Sequence, residues 1–453
     1  MSRPDDGAGW EPGAPWVPGN RWDLVGGVEP VPPRVSVVVT HYDQPEELSR
    51  TLAALRRQDH PRDLLEIVVA DDGSPIAPVV PDGVLLVRQE DRGFRAAAAR
   101  NLGAAAATGD VLCFLDADTA PEPGYVRALT RLPALLPEAV TVGRRRHADL
   151  GGVAPDAPLA EVGPARELPE PDWLRDAYAR SGDLLHADDR SYRFVISAVL
   201  ACSRALFDEI GGFDEGFTSY GGEDWEWAHR AWQAGAVLAH VPAAVAWHDG
   251  PDWAGRSSED RAREGNRQTL RLADAIPVDG SRGRGVMPAV PDLVVHLTGD
   301  PSPAAAFLCV DAVLAAFPRA TVVLDADPSP PVAADPRVLT AADPRLRRAA
   351  DGLPDARVVL RLDRAVAIDG ADELAARLSA LGQGSEGGFE LRAADGEPVG
   401  AATSRRARRR ATRWGTDAGF TTGTLTASGV HVLREEPHLE AWVGGWGGVD
   451  RWT

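Results

Sequence analysis

Two pairs of carboxylates lie at predicted boundaries of strands and helices. Asp116 and Asp118 follow the apolar run 111–115 with one alanine between them. Side chains two residues apart on a strand point to the same side, so these two anions would repel each other unless a cation binds between or beside them. A divalent ion satisfies both carboxylates and can also hold phosphate oxygens. Because an isolated Asp-x-Asp is also common in solvated turns and helix caps, both interpretations stay open for this pair alone.

The second pair, Glu223 and Asp224, follows two glycines and begins a helical pattern. The helix dipole favours ionised carboxylates in a first turn, where they can simply cap the helix. They can also accept hydrogen bonds from sugar hydroxyls, and one of them can act as general base on an acceptor hydroxyl. The face that Trp225 shares with His229 and Trp232 is also typical of core packing. The candidates for contacting a sugar are Tyr220, Gly222 and Trp225.

Further polar residues follow predicted strands or flank a helix. Asp71 and Asp72 precede Gly73, where a carboxylate can accept from a nucleobase N–H or a ribose hydroxyl, although an Asp-Gly turn is the simpler explanation. Arginines flank an Ala-rich helix, and guanidinium groups can bind phosphate or clamp an aspartate. At least one of them is expected on a solvated helix face. They are Arg92, Arg95 and Arg100.

His248 ends an apolar strand pattern and precedes Asp249 and Gly250. A single histidine is more often a hydrogen-bonded structural residue than a ligand. Because a cation is already suspected at Asp118, and imidazole can complete such a coordination shell, His248 is a candidate metal ligand.

The elements that would position these groups alternate between strand and helix. β-Branched and apolar runs predict strands at 34–43, 65–74, 83–90 and 110–119, and helical periodicity predicts helices at 44–58 and 95–109. This order is typical of an α/β nucleotide-binding fold with a mostly parallel sheet, in which ligands bind where strands end. The polar, Pro-rich stretch 144–192 predicts an irregular loop region.

At 453 residues the chain is too long for one compact core. We predict an N-terminal arm at 1–33, a first α/β domain at 34–276, a linker at 277–291 and a smaller C-terminal α/β domain at 292–453. The last domain repeats the order of the first, but with different motifs at its strand ends. It is either a degenerate copy of the first fold or an unrelated α/β domain.

Composition excludes several classes of protein. A net charge of −19 and a pI near 5.0 argue against a nucleic-acid binder. The three cysteines have neither disulfide nor metal-ligand spacing, and neither a signal peptide nor a membrane span is apparent, so we expect a cytoplasmic protein. The arginine cluster 405–413 suggests peripheral contact with an anionic lipid carrier or the inner face of a membrane, with a solvated helix face as the alternative.

Taken in order, the motifs resemble those of the family 2 glycosyltransferases, which have the GT-A fold. They are VSVVVTHYDQPEELSRTLAAL, IVVADDGS, RGFRAAAARNLGAAAATGDVLCFLDAD, GGFDEGFTSYGGEDWEWAHRA and WH, within about residues 34–250. The Gly-Gly-Glu-Asp-Trp segment also resembles the C-terminal segment of galactosyltransferases and of bacterial chondroitin-type polymerases. The resemblance implies an inverting transfer of a sugar from a nucleoside diphosphate donor.

On the donor side, the resemblance implies that Thr40 and Asp72 hold the nucleoside, with uridine as the expected base and Asp71 as the alternative to Asp72. It implies that Arg95 and Arg100 support the diphosphate or its aspartates.

On the catalytic side, it implies that Asp116 lies near the ribose and the water shell of the metal. Asp118 and His248 would bind Mn²⁺ or Mg²⁺. Glu223 would hold sugar hydroxyls, and Asp224 would be the catalytic base.

The expected partners are a UDP-sugar and a saccharide, lipid-linked or small-molecule acceptor, and a homodimer is a further expectation. One alternative is a sugar-binding or scaffold protein that has lost its activity. A sugar nucleotidyltransferase is disfavoured, because the segment THYDQPEE after the first strand is acidic and lacks the glycines of a phosphate loop.

Overall fold

In the computed structural model the chain forms two compact units, one made mostly of residues 13–273 and the other mostly of residues 274–445. We call them the N-terminal unit and the C-terminal unit. The structure describes residues 13–219, 221–251, 258–349 and 351–445. Within these ranges, no helix combines the length and the apolar character needed to span a bilayer.

The N-terminal unit contains nine strands and eight α-helices in its described residues. Its strands are β1 Val35–His41, β2 Leu65–Asp71, β3 Val84–Arg88, β4 Val111–Asp116, β5 Thr119–Pro121, β6 Ala139–Ala148, β7 Glu167–Leu168, β8 Val199–Ser203 and β9 Val237–Asp249. Its helices are α1 Pro45–Leu55, α2 Ala96–Ala106, α3 Tyr125–Leu135, α4 Leu159–Ala165, α5 Asp172–Ser181, α6 Arg204–Ile210, α7 Glu223–Gln233 and α8 Ser258–Ala275.

The described part of the C-terminal unit also alternates between strands and helices. Its strands are β10 Leu293–Leu297, β11 Thr321–Leu324, β12 Val338–Thr340, β13 Val358–Leu362, β14 Val366–Ile368, β15 Glu386–Arg392, β16 Pro398–Ser404, β17 Thr421–Thr426 and β18 Val430–Val432. Its helices are α9 Pro303–Ala316, α10 Pro330–Ala333, α11 Asp372–Ala380, α12 Arg405–Trp414 and α13 Leu439–Gly444.

The sheet of the N-terminal unit has the strand order β3-β2-β1-β4-β8-β6-β9-β5, with β7 beside β6. The strands β3, β2, β1 and β4 are parallel, β8 is antiparallel to β4 and β6, and β9 is parallel to β6. The carboxyl ends of β1, β2 and β4, at His41, Asp71 and Asp116, therefore meet at one edge of the sheet. We call it the carboxyl edge. The predicted α/β fold with a mostly parallel sheet and a smaller C-terminal α/β domain is confirmed.

The buried strands explain why these residues form a sheet. β1 and β4 are mostly apolar, and all of their residues except Thr40 and Asp116 are buried, as expected of parallel strands covered on both faces. The Ala-rich helix α2 packs closely on the sheet: a Cβ on Gly103 would lie 2.4 Å from Cγ1 of Val38. The small side chains of this helix thus bring its arginines close to the carboxyl edge.

Two predicted irregular regions are more ordered than the sequence indicated. The stretch 144–192 contains the end of β6 and the helices α4 and α5, so the loop interpretation is wrong for much of it. In the predicted N-terminal arm, Val17 and Val25 are buried in a cluster with Leu136 and Val237.

The C-terminal unit has the sheet order β12-β11-β10-β13-β16-β15-β17, and β14 pairs separately with β18. The arginine cluster 405–413 is helix α12. Arg405 pairs with Asp355 at 2.6 Å, and the buried Arg408 pairs with Asp351 at 2.8 Å. Burial lowers the pKa of both guanidinium groups, although the aspartates oppose that effect. The interpretation of the cluster as a solvated face or a membrane contact is therefore wrong for the buried Arg408, and for the partly exposed Arg405 the membrane contact stays a prediction.

Candidate active site

The centre of the carboxyl edge is a buried arginine between two acidic side chains. Arg100 donates from Nη2 to Oδ1 of Asp116 and from Nη1 to Oε1 of Glu223, both at 2.9 Å. Burial would lower the pKa of Arg100, but the charges of Asp116 and Glu223 outweigh it and raise that pKa. Arg100 therefore ties the end of β4 to the first turn of α7. The side chain of Asp116 is 32% exposed, so its second oxygen remains accessible to a ligand.

One carboxylate oxygen of Glu223 has no hydrogen-bond partner in this cluster. Its side chain is only 6% exposed, and Oε2 is buried without a hydrogen-bond partner in the structure. Buried carboxylate oxygens are normally hydrogen-bonded. Oε2 therefore has hydrogen-bonding capacity that the described residues leave unused.

Asp224 lies beside Glu223 at the start of α7. Its Oδ1 accepts from the backbone N–H of Trp225 at 2.8 Å, and its Oδ2 lies 3.5 Å from the backbone N of Ser197. Burial and the charge of Glu223 raise the pKa of Asp224 to about 7, against the opposing effect of Arg100. A carboxylate with a pKa near neutrality is suited to accept a proton and release it again.

Asp118 and His248 lie together because β5 runs antiparallel to the end of β9, which places Thr119 opposite His248. Nε2 of His248 is 3.5 Å from Oδ2 of Asp118. Nδ1 of His248 lies 3.1 Å from the carbonyl of Gly250, and a carbonyl can only accept. In the neutral imidazole the proton is therefore on Nδ1, and the lone pair of Nε2 faces Asp118.

This pair fits a divalent cation that is completed by substrate. Among the described residues, no group of three or more His, Cys, Asp and Glu forms a full metal site. Mg²⁺ in phosphate chemistry is usually held by one or two carboxylates, substrate phosphates and water, so a two-ligand set is sufficient there. The donor set of Asp118 and His248 is thus compatible with Mn²⁺ or Mg²⁺ bound together with a diphosphate.

The structure separates the roles of the adjacent aspartates 71 and 72. Asp71 is fully buried and accepts from Arg88 at 2.7 Å, from the backbone N of Ser74 at 3.1 Å, and from the Ser74 hydroxyl; it also contacts His41 at 2.8 Å. Burial raises its pKa, but these hydrogen bonds outweigh it and hold the pKa below the usual range. Asp71 is therefore a structural residue that fixes the end of β2, which argues against it as the nucleoside ligand.

Asp72 is better placed for a ligand. It accepts from the side chain of Gln89 and from the backbone N–H of Arg95 at 2.8 Å, and burial is the largest effect on its raised pKa. Nearby, the hydroxyl of Thr40 and Nε of Arg95 are buried without a hydrogen-bond partner. The group of Thr40, Asp72 and Arg95 therefore retains unused hydrogen-bonding capacity.

The residues predicted to contact a sugar differ in their surroundings. Trp225 is partly exposed and has an edge-to-face contact with Tyr192 at 6.4 Å. Gly222 has φ +97°, and a Cβ there would lie 2.9 Å from the ring of Phe217, so its close contact is with the protein itself. The predicted residue Tyr220 lies outside the described residues.

Aromatic residues of the loop before α7 and one of the candidate arginines are structural. Phe213 and Phe217 are almost fully buried, and Phe213 packs against Phe114 and Trp227 rather than facing a cleft. Arg92 is exposed and pairs with Glu90, as the solvated-face interpretation predicts.

Sequence reasoning missed three contributors to the site. Gln44 donates to Oδ2 of Asp118 at 3.3 Å, Gln89 donates to Asp72, and the backbone of Ser197 contacts Asp224. Gln89 directly follows β3, so the rule that ligands bind where parallel strands end could have found it. Gln44 lies within the first motif segment, but nothing in that segment marks it as a site residue, and Ser197 belongs to no motif. Only the folded chain brings them to the site.

Comparison with known proteins identifies two sequence families in the N-terminal unit. Residues 36–177 match the model of glycosyl transferase family 2, and residues 182–247 match the model described as the N-terminal domain of galactosyltransferase. Together they include every described residue of the candidate site except His248. The sheet topology and these matches confirm the predicted GT-A type of fold.

Curated relatives are similar over about half of the chain. The hyaluronan synthase of Pasteurella multocida is 29% identical over 52% of this chain and 26% of its own length. The chondroitin synthase of Escherichia coli is 30% identical over 54% and 38%, respectively. A validoxylamine A glucosyltransferase of Streptomyces hygroscopicus subsp. jinggangensis is 30% identical over 53% and 59%. The chain thus aligns with only a quarter to two fifths of the length of the first two relatives.

Solved structures show a weaker likeness. The mannosyltransferase PcManGT from Pyrobaculum calidifontis, in complex with GDP-Man and Mn²⁺, is 22% identical with a TM-score of 0.39 over 54% of this chain and 66% of its own. GalNAc-T7 with UDP, GalNAc and Mn²⁺ is 20% identical with a TM-score of 0.37 over 55% of this chain and 51% of its own.

The Arg100 contacts predict a large loss of stability on substitution. In Arg100→Met the carboxylate of Glu223 stays buried without its cation, and breaking a buried ion pair in this way costs about 3–5 kcal/mol. Denaturant unfolding of the full chain measures this loss. Adding Glu223→Gln should recover part of it, while the exposed control Arg92→Met should change the free energy of unfolding by about 0.5 kcal/mol or less. Equal stability of Arg100→Met and the parent would contradict the bridging role of Arg100.

Proposed function

The chain carries a family 2 glycosyltransferase domain, and we propose that it transfers a sugar from a UDP-sugar to an acceptor hydroxyl with inversion, Asp224 acting as general base. The observation that carries the proposal is the Asp116–Arg100–Glu223 bridge. It links the strand end that would hold the donor to the helix start that would serve the acceptor. A saccharide, a lipid-linked sugar or a small molecule is the acceptor class.

In the proposed donor site, Thr40 and Asp72 hold the nucleoside at the carboxyl edge. Their partly unused hydrogen-bonding capacity supports this assignment, since a uracil N–H and ribose hydroxyls are donors that carboxylate and hydroxyl oxygens accept. Arg95, at the start of α2, supports the diphosphate with its guanidinium group and the positive end of the helix. The free oxygen of Asp116 faces the ribose or a metal-bound water.

Asp118 and His248 would hold the divalent cation. When bound, the cation supplies Lewis-acid stabilisation of the charge on the departing diphosphate. Gln44 and Thr119 orient the carboxylate of Asp118 through hydrogen bonds at 3.3 and 3.1 Å. The carbonyl of Gly250 fixes the ring of His248 in the tautomer that can bind the cation through Nε2.

On the acceptor side, Asp224 takes the proton of the hydroxyl as its oxygen bonds to the anomeric carbon. The bond from that carbon to the β-phosphate oxygen breaks, and the nucleoside diphosphate leaves with the electron pair. Attack from the face opposite the leaving group inverts the anomeric configuration. Oε2 of Glu223 accepts from a sugar hydroxyl and helps to orient it beside the base.

The first test is a transfer and hydrolysis screen over UDP-, GDP- and dTDP-sugars with Mn²⁺, using simple glycosides as acceptors. We expect turnover of a UDP-sugar and a product whose anomeric configuration is inverted in the NMR spectrum. Absence of turnover with all three donor classes, or a product with retained configuration, would contradict the proposal.

Asp224→Asn should abolish transfer, because the amide cannot accept the proton. General-base removal typically costs about 10²–10⁴-fold in rate. UDP binding by calorimetry should stay close to that of the parent, since Asp224 is assigned to the acceptor. Asp208→Asn, an exposed aspartate on α6, is the matched control and should keep full activity. Parental turnover by Asp224→Asn would rule out Asp224 as the base.

The pH dependence of kcat/KM provides an independent test of the same carboxylate. Asp224 acts only when deprotonated, and its pKa is raised to about 7, so the rate should rise with pH and level off above that value. At pH 6 kcat/KM should be about one tenth of its plateau. Since the charge of Glu223 contributes to the raised pKa, Glu223→Gln should move the midpoint to lower pH. If the midpoint does not move in that variant, the pH profile of kcat/KM does not report the deprotonation of Asp224.

Asp118→Ala should remove the metal-dependent part of donor binding. In calorimetric titrations with UDP, the parent should bind more tightly with Mn²⁺ than with EDTA, while the variant should bind equally in both. Because even outer-shell changes cost about 10–100-fold in metal affinity, we expect a loss of at least tenfold here. Unchanged Mn²⁺ dependence would exclude Asp118 as a ligand.

A further inference from the structure

The sheets of the two units have the same architecture. In the order in which they occur in the chain, β1, β2, β3, β4, β6, β8 and β9 correspond to β10, β11, β12, β13, β15, β16 and β17. The spatial order is the same, β3-β2-β1-β4-β8-β6-β9 against β12-β11-β10-β13-β16-β15-β17. All six pairings also agree in direction, four of them parallel and two antiparallel.

The correspondence extends to a short strand that follows the Asp-x-Asp position. In the N-terminal unit β5 follows β4 and pairs antiparallel with the end of β9. In the C-terminal unit β14 follows β13 and pairs antiparallel with β18, which comes directly after β17. The segments VLCFLDADTAP (111–121) and VVLRLDRAVAI (358–368) therefore align without a gap.

Individual hydrogen bonds agree as well. The backbone N–H of Val111 donates to the carbonyl of Arg34, and that of Val358 to the carbonyl of Asp292, both at 3.1 Å. Ser203 and Ser404 end the antiparallel strands and cap the next helix, each accepting a backbone N–H three residues on, at 3.1 and 3.2 Å. Shared strand order, strand directions and cap contacts indicate an internal duplication of one fold.

At the proposed cation site the two copies differ. The gapless alignment places Ala365 where the N-terminal unit has Asp118. The pairing of β14 with β18 places Val432 where the pairing of β5 with β9 has His248. The side chain of neither an alanine nor a valine can ligate a cation. Asp363 takes the place of Asp116, but it pairs with Arg361 on its own strand at 2.9 Å.

The helices that carry the other active-site groups are missing too. Between β12 and β13, the described residues of 341–357 contain no helix corresponding to α2, which carries Arg95 and Arg100. Between α12 and β17, residues 415–420 contain no helix corresponding to α7, which carries Glu223 and Asp224. The cation ligands, the bridging arginine and the base are thus all absent from the second copy.

We propose that the C-terminal unit is a non-catalytic copy of the transferase fold, so that the chain has one transfer centre and uses one donor class. This inference rests on the proposed function of the N-terminal unit. A chain with one such centre adds one kind of sugar, and a product containing two kinds requires a second transferase.

The test uses the full chain and two matched variants, Asp116→Ala and its counterpart Asp363→Ala. Calorimetry with UDP and Mn²⁺ should give one binding site per chain. In the donor screen, Asp116→Ala should lower transfer at least tenfold with every donor that the parent uses, while Asp363→Ala should keep it within twofold. The side chain of Asp363 is half-exposed and, among the described residues, bonds to Arg361 on the preceding strand and to Thr298, so its replacement should leave the fold intact.

Two outcomes would overturn the inference alone: two UDP sites per chain, or a donor whose transfer survives Asp224→Asn and is lost in Asp363→Ala. Failure of the proposed function gives a different result: the parent then neither binds UDP with Mn²⁺ nor turns over any donor. That last result would remove the inference together with its premise.

Discussion

The site depends on one buried cation, the guanidinium group of Arg100. It bonds Asp116 at the end of β4 and Glu223 at the start of α7, which are 107 residues apart in the chain. Two ionised carboxylates repel each other, and the positive charge between them stabilises their approach. An arginine is suited to this because its planar fork can bond two carboxylates at once, whereas a lysine ammonium cannot match that geometry. Asp224 follows Glu223 on α7, where desolvation and the charge of Glu223 raise its pKa to about 7 against the opposing charge of Arg100.

A second constraint is the rigidity of the carboxyl edge. Asp71 is held by Ser74, His41 and Arg88, and this fixes the strand end from which Asp72 projects. The tight packing of α2, which requires Gly103, sets the depth of Arg100 in the same way. The proposed transfer requires that a donor and an acceptor be aligned, and such positioning can contribute several kcal/mol to the rate. The C-terminal unit keeps the sheet but lacks these fixed groups, which agrees with a structural copy rather than a second centre.

Much of the fold could be predicted from sequence, because β1, β2 and β4 are mostly apolar runs followed by polar residues. Asp118 and His248 were also predictable as partners, since their motifs occur in a familiar order. The contact between Arg100 and Glu223 could not be predicted, because the sequence shows several arginines near an Ala-rich helix and does not distinguish among them. The side chains of the adjacent Asp71 and Asp72 have different surroundings. Only their hydrogen-bond partners in the folded chain show which of them is structural. The helix α4 was not predicted, because Gly163 and Pro164 interrupt its apolar periodicity.

The most direct measurement of the central claim is anomalous diffraction from crystals of the full chain grown with UDP and Mn²⁺. If the cation side and the base side form one centre, a manganese peak should lie within about 2.6 Å of the Asp118 carboxylate and His248 Nε2. The diphosphate should then lie in the same cleft as the Arg100–Glu223 bridge and Asp224. A manganese peak elsewhere, or UDP bound away from that bridge, would contradict the account.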